Sequence, residues 1–145
     1  MNWSDRCIME LTHRHAFEND AHRQRFIDLL DCYAKAPFFT KGLCKCMYLS
    51  AWDDEHFMIM LQILNDMTLE GTRNLRMMKD QGEMMELELA DGGYELEVMR
   101  MSNAFVNNVS YRMPDIGVLD PEGAHIIRQG LRAASYIDEL LQDET

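Results

Sequence analysis

From Met84 to Val98 the chain abandons the spacing of its neighbours and alternates apolar and acidic side chains. Met85, Leu87 and Leu89 are separated by Glu86 and Glu88, and Tyr94, Leu96 and Val98 by Glu95 and Glu97. Asp91-Gly92 sits midway between the two runs. A period of two on either side of an Asp-Gly pair is the signature of a β-hairpin, because Asp-Gly suits the type I′ turn that joins twisted strands. The pattern predicts a hairpin over about residues 84–98 that pairs Leu89 with Tyr94, Leu87 with Leu96 and Met85 with Val98. A helical alternative competes, since Leu75, Met78, Met85 and Leu89 also fit a period of 3.6. The central turn signal favours the hairpin.

Elsewhere the spacing is helical. Phe26, Leu29, Leu30 and Tyr33 form one face of a helix from about Asp20 to Ala36, capped by Asn19 or Asp20 and stopped by Pro37. A short helix follows from Thr40 to Leu49, with Leu43, Cys46 and Met47 inward. Ser50-Ala51-Trp52-Asp53 then opens a helix whose inner face is Phe57, Met60, Leu61 and Leu64. Residues 70–80 read as helical, as does the segment holding Met101, Phe105, Val106 and Val109, which Pro114 closes ahead of a loop at Gly117. Asp120-Pro121 begins the last helix, an N-cap with proline in the first turn, and Ile127, Leu131, Ala134, Ile137 and Leu141 make its stripe. The expected fold is α+β: one mainly helical domain over residues 1–145 with a single acidic β-hairpin.

Charge narrows the function. The 145 residues carry a net charge of −11, with 25 acidic side chains against 14 basic ones. Such a surface repels phosphate, which argues against nucleic acid or an anionic membrane as a direct partner, and it speeds encounter with basic proteins. No signal-peptide-like or membrane-spanning apolar run is present, so a cytoplasmic setting with reduced thiols at Cys7, Cys32, Cys44 and Cys46 is expected.

The phosphate-loop, dinucleotide-binding, nucleophile-elbow, zinc-protease and Cys-x-x-Cys patterns are all missing, so no catalytic residue is assigned and no cofactor is expected. His13, His15 and His22, with Cys44 and Cys46, are the best candidates for a metal. They lack one shared ligand spacing, and the expectation is no metal site. His56 reads as part of a solvated helix start and His125 as a lone histidine. The 13 methionines include the adjacent pairs Met77-Met78 and Met84-Met85. Methionine at helical spacing is more often core than binding surface. An adjacent pair puts one member off any single face, so the core reading stands beside one in which part of this set is exposed near the hairpin.

The acidic stretch itself is the leading candidate site. In the hairpin register Glu88 faces Glu95 and Glu86 faces Glu97, an arrangement that costs about 0.2–1 kcal/mol per pair. Either cations from elsewhere in the fold cover that face, or a basic partner does. The partner-binding residues on the second reading are Glu83, Glu86, Glu88, Asp91, Glu95 and Glu97.

Phe17, His22, Phe26 and Leu29-Leu30, then Met47-Tyr48-Leu49-Ser50, then Arg100-Met101-Ser102 with Phe105 and Asn107-Asn108, give a chain that resembles a family of small uncharacterised proteins of Gram-positive gut bacteria and their mobile elements. The acidic hairpin departs from that family's pattern. The resemblance implies a mobile-element setting and no particular mechanism. With charge and size, it leads to an expected function as a small acidic protein-binding module. Such a module could act as an inhibitor of the anti-CRISPR or anti-restriction type, docking on the basic nucleic-acid-binding surface of a partner. The alternative is a small metal-dependent or cofactor-free enzyme using the His13/His15/His22 region.

Overall fold

The computed structural model describes residues 2–89, 94–113 and 120–142, with side chains to residue 140. All of the regular structure in these residues is helical. The helices are α1 (Trp3–His13), α2 (Asp20–Tyr33), α3 (Lys41–Ser50), α4 (Asp54–Leu69), α5 (Arg76–Glu88), α6 (Tyr94–Val106) and α7 (Pro121–Gln142). None is long and apolar enough to cross a membrane.

Local chemistry sets most of the boundaries. The side chains of Asn2, Asn19, Thr40 and Asp53 each accept the backbone N–H three residues on, at 2.8–3.1 Å. Asp120 does the same for Gly123 at 2.7 Å, with Pro121 in the first turn, where its missing N–H costs nothing. Three helices end on a left-handed residue: α1 on His15 (φ 54°), α4 on Gly71 (φ 70°) and α6 on Asn108 (φ 56°). In each, the N–H of the next residue reaches back five positions, Ala16 to Leu11, Thr72 to Met67 and Val109 to Ala104, and satisfies carbonyls the helix would leave open.

Helix α3 lies at the centre, packed on α2, α4, α6 and α7, while α1 rests on α2 and α7. Leu43, Cys44, Cys46, Met47, Tyr48 and Leu49 of α3 are all buried, so this helix has almost no solvent face. A buried α3 needs close neighbours, and Gly42 supplies one approach: a Cβ there would lie 2.1 Å from the Phe105 carbonyl oxygen of α6.

The expected β-hairpin does not form. Residues 76–88 and 94–106 are two helices packed side by side, α5 on α6. The Asp91-Gly92 turn lies outside the described residues, as do Pro114, Gly117 and the Leu141 side chain. Tertiary contacts explain the difference. The Asn103 amide of α6 donates to the Gly82 carbonyl (3.1 Å) and to Glu86 (2.9 Å), and Arg100 reaches Glu86 at 3.3 Å. Gly82 permits that approach, since a Cβ there would meet the Asn103 Oδ1 at 2.1 Å. Short alternating runs have weak intrinsic preference, and packing decides between helix and strand. The helix α1 also goes beyond the sequence reading, which began at Asp20.

Candidate functional site

The like-charge ladder disappears with the hairpin. Glu97 is 8 % exposed and accepts from Arg100 (2.8 Å) and from the Tyr111 hydroxyl (2.7 Å). Glu86 shares the same guanidinium. Burial first, and then the Glu97 carboxylate, pushes the Tyr111 phenol up. Glu95 pairs with His56 at 3.1 Å. Glu83 and Glu88 are exposed and have no cation partner among the described residues, and Asp91 lies outside them. The Tyr111–Glu97 bond is a charged hydrogen bond of the kind that contributes about 1.5–3 kcal/mol, whereas Arg100 is half exposed and its ion pairs add about 0–1 kcal/mol each. Replacing Glu86, Glu88, Glu95 and Glu97 together with Gln is therefore expected to lower the urea midpoint clearly, and Glu97→Gln alone should account for most of the loss.

The histidines do not converge. His13 and His15 are exposed, and His15 occupies the left-handed position that ends α1. His22 is buried with both ring nitrogens in use: Nδ1 accepts the Glu18 N–H at 3.1 Å and Nε2 donates to the Tyr48 carbonyl at 2.8 Å. Cys44 and Cys46 are buried, and the Cys46 thiol donates to the Ser102 carbonyl. Among the described residues no three His, Cys, Asp or Glu side chains form a metal-holding group.

The feature that stands out is a cleft lined by α3, α4, α5 and α6, where α4 leans on α2 and α3, and α5 on α6. Its apolar lining includes Met60 from α4, Met78 and Met85 from α5, and Met99 from α6. The volume is about 90 Å³, against the ~150 Å³ of an apolar cavity that accepts benzene. It therefore suits a single apolar side chain better than a free metabolite. Met58, Ile59 and Leu69 on α4 and Met84 and Leu87 on α5 are exposed as well, five of the seven large hydrophobic side chains exposed among the described residues, but none of them lines the cleft. The same two helices expose Glu55, Asp66, Asp80, Glu83 and Glu88 without cation partners among the described residues, and α4 contains no Lys or Arg at all.

His56 marks one part of the cleft lining. Far from being a solvated helix start, it bridges two carboxylates, Nδ1 to Asp53 at 2.6 Å and Nε2 to Glu95 at 3.1 Å. Burial works against its charge, but the bonds to Asp53 and then Glu95 outweigh this and raise its pKa above 6.5. Ser50 also lines the cleft, yet its hydroxyl donates to the Met47 carbonyl, so no hydroxyl–imidazole pair is set up for nucleophilic chemistry. His125, expected to be alone, bonds Glu18 at 2.8 Å.

The methionine pairs lie on α5, whose Met78 and Met85 line the cleft. Met78 is buried and Met77 half-buried, while Met84 is 63 % exposed and Met85 half-buried. Comparison with protein-family models, with curated proteins and with solved structures returns no match.

Proposed function

We propose that this is a protein-binding module whose methionine-lined cleft takes an apolar anchor from a basic, amphipathic helical segment of a partner. The observation that carries the reading is the cleft itself, lined by Met60 of α4, Met78 and Met85 of α5 and Met99 of α6, on a molecule whose α4 and α5 also expose apolar side chains and, among the described residues, unpaired carboxylates. Methionine adapts its shape to an inserted side chain, and exposed apolar patches of this kind mark interaction surfaces. A net charge of −11 selects a basic partner. Amphipathic helices present apolar anchors on one face and lysine or arginine on the other, which matches both features together. Inhibition of a nucleic-acid-binding protein, the role expected from charge and size, is one form of this reading.

The test uses a helical Leu/Lys amphipathic peptide as probe in titration calorimetry. Burying one such side chain is worth about 1.5–3 kcal/mol, so Met85→Gln with Met99→Gln should weaken binding at least tenfold while the free variant stays folded. A scrambled peptide of the same composition should bind much more weakly. Equal binding of the two peptides would mean that charge alone is being read, and would overturn the proposal.

A further inference from the structure

A second concavity, of about 410 Å³, opens between the start of α3, the turn before α5 and the end of α6. Its charge is opposite to that of the rest of the molecule. Lys41, Arg73 and Lys79 line it and, among the described residues, no carboxylate does. Arg73 and Lys79 have no carboxylate within ion-pair distance among the described residues. Lys41 lies 3.4 Å from Asp138, but that carboxylate is shared with Lys45 at the shorter distance of 2.7 Å. The local balance is positive. Beneath the cations the floor is apolar and largely buried, with Phe38, Leu75 and Phe105 each less than 10 % exposed.

We infer that this concavity binds a small phosphate monoester carrying a flat apolar group, with the phosphate held by Lys41, Arg73 and Lys79 and the apolar group laid against Phe38, Leu75 and Phe105. Three cations match a dianion better than a single carboxylate, and guanidinium and ammonium donors both suit phosphate oxygens. The volume falls within the ~300–1,000 Å³ of small-molecule sites, which characteristically combine an apolar body with a few convergent polar groups. This site shares none of its charged residues with the methionine cleft, and it stands or falls independently of the peptide-binding proposal.

Phenyl phosphate is the direct probe, titrated into the whole protein and followed by amide NMR. Saturable shifts at Lys41, Arg73, Lys79 and Phe105 are expected. Arg73→Gln with Lys79→Gln should weaken the affinity at least tenfold without moving the melting temperature of the free protein, because neither side chain holds the fold together. Inorganic phosphate, lacking the ring, and benzyl alcohol, lacking the charge, should each bind at least tenfold more weakly. Equal binding of phenyl phosphate to wild type and the double variant would overturn the assignment. So would an affinity for inorganic phosphate equal to that for phenyl phosphate, or the absence of saturable binding.

Discussion

Lowering the pH from 6.5 to 4 is expected to remove about 3 kcal/mol of stability through His22 alone. The side chain is fully buried, packed against Phe17, Tyr48 and Trp52 at centroid distances of 4.6–5.3 Å. A backbone N–H points at Nδ1 and a carbonyl faces Nε2, which fixes the neutral tautomer with its proton on Nε2. A second proton would sit on Nδ1, directly against the Glu18 N–H. Burial is the largest cause that brings the pKa from 6.5 down to about 4, opposed by the Tyr48 carbonyl. Between those values the unfolded chain binds a proton that the folded chain refuses, so stability falls as the pH falls, by about 1.36 kcal/mol for each pH unit crossed. His22→Gln keeps a donor for the Tyr48 carbonyl and cannot titrate. Urea unfolding across this range should show wild type losing its advantage over the variant by about 3 kcal/mol toward pH 4. A constant difference would show that His22 is not held neutral. His56 has the opposite sign: its contribution is complete below pH 6.5 and is lost as pH rises through its raised folded value.

Gly42→Ala is expected to be among the most damaging single methyl additions in the chain. Its Cβ would sit 2.1 Å from the Phe105 oxygen and 3.0 Å from the Phe105 carbonyl carbon. Both are backbone atoms of α6, so no side chain can rotate away. The central helix would have to separate from α6, opening the packing around Leu43, Cys46 and Met47. Overpacking of this kind costs about 1–3 kcal/mol or more, against a gain of up to about 1 kcal/mol in helix propensity. A net loss of about 2 kcal/mol would lower the melting temperature by roughly 6 °C in a chain of this size. Gly82→Ala meets only the Asn103 side chain and should cost less. A Gly42→Ala protein that melts within a degree or two of wild type would mean that α3 and α6 do not approach this closely.

Much of the helical framework is legible in the sequence because its boundaries are written in local chemistry. Asn19, Thr40, Asp53 and the Asp120-Pro121 pair each start a helix where capping rules place one. Helix α1 has equivalent signals, Asn2 as its cap and Cys7, Ile8 and Leu11 on its inner side, but the nearby His13 and His15 draw attention to metal chemistry instead. The acidic stretch misleads for a different reason. Alternation over so few residues is compatible with either helix or strand, and what selects helix is distant in sequence: Asn103 reaching Gly82, and Arg100 reaching Glu86. Glu86 and Glu97, paired across strands in the expected hairpin, sit instead on two helices, α5 and α6. Arg100, just beyond the acidic run, stands between them. The cleft was less legible, since methionine spacing leaves core and exposed readings side by side and does not show which helices line a cleft.

Methyl NMR of protein labelled at the methionine ε-carbons, titrated with the Leu/Lys amphipathic peptide, tests the docking proposal most directly. Met47 and Met101 are fully buried in the core, and Met9, 49 % exposed on α1, serves as a surface reference away from the cleft. The expected result is saturable shifts at Met60, Met78, Met85 and Met99, with Met9, Met47 and Met101 unchanged. Shifts at Met9 equal to those in the cleft, or a saturated complex that leaves the four cleft methyls unmoved, would contradict it.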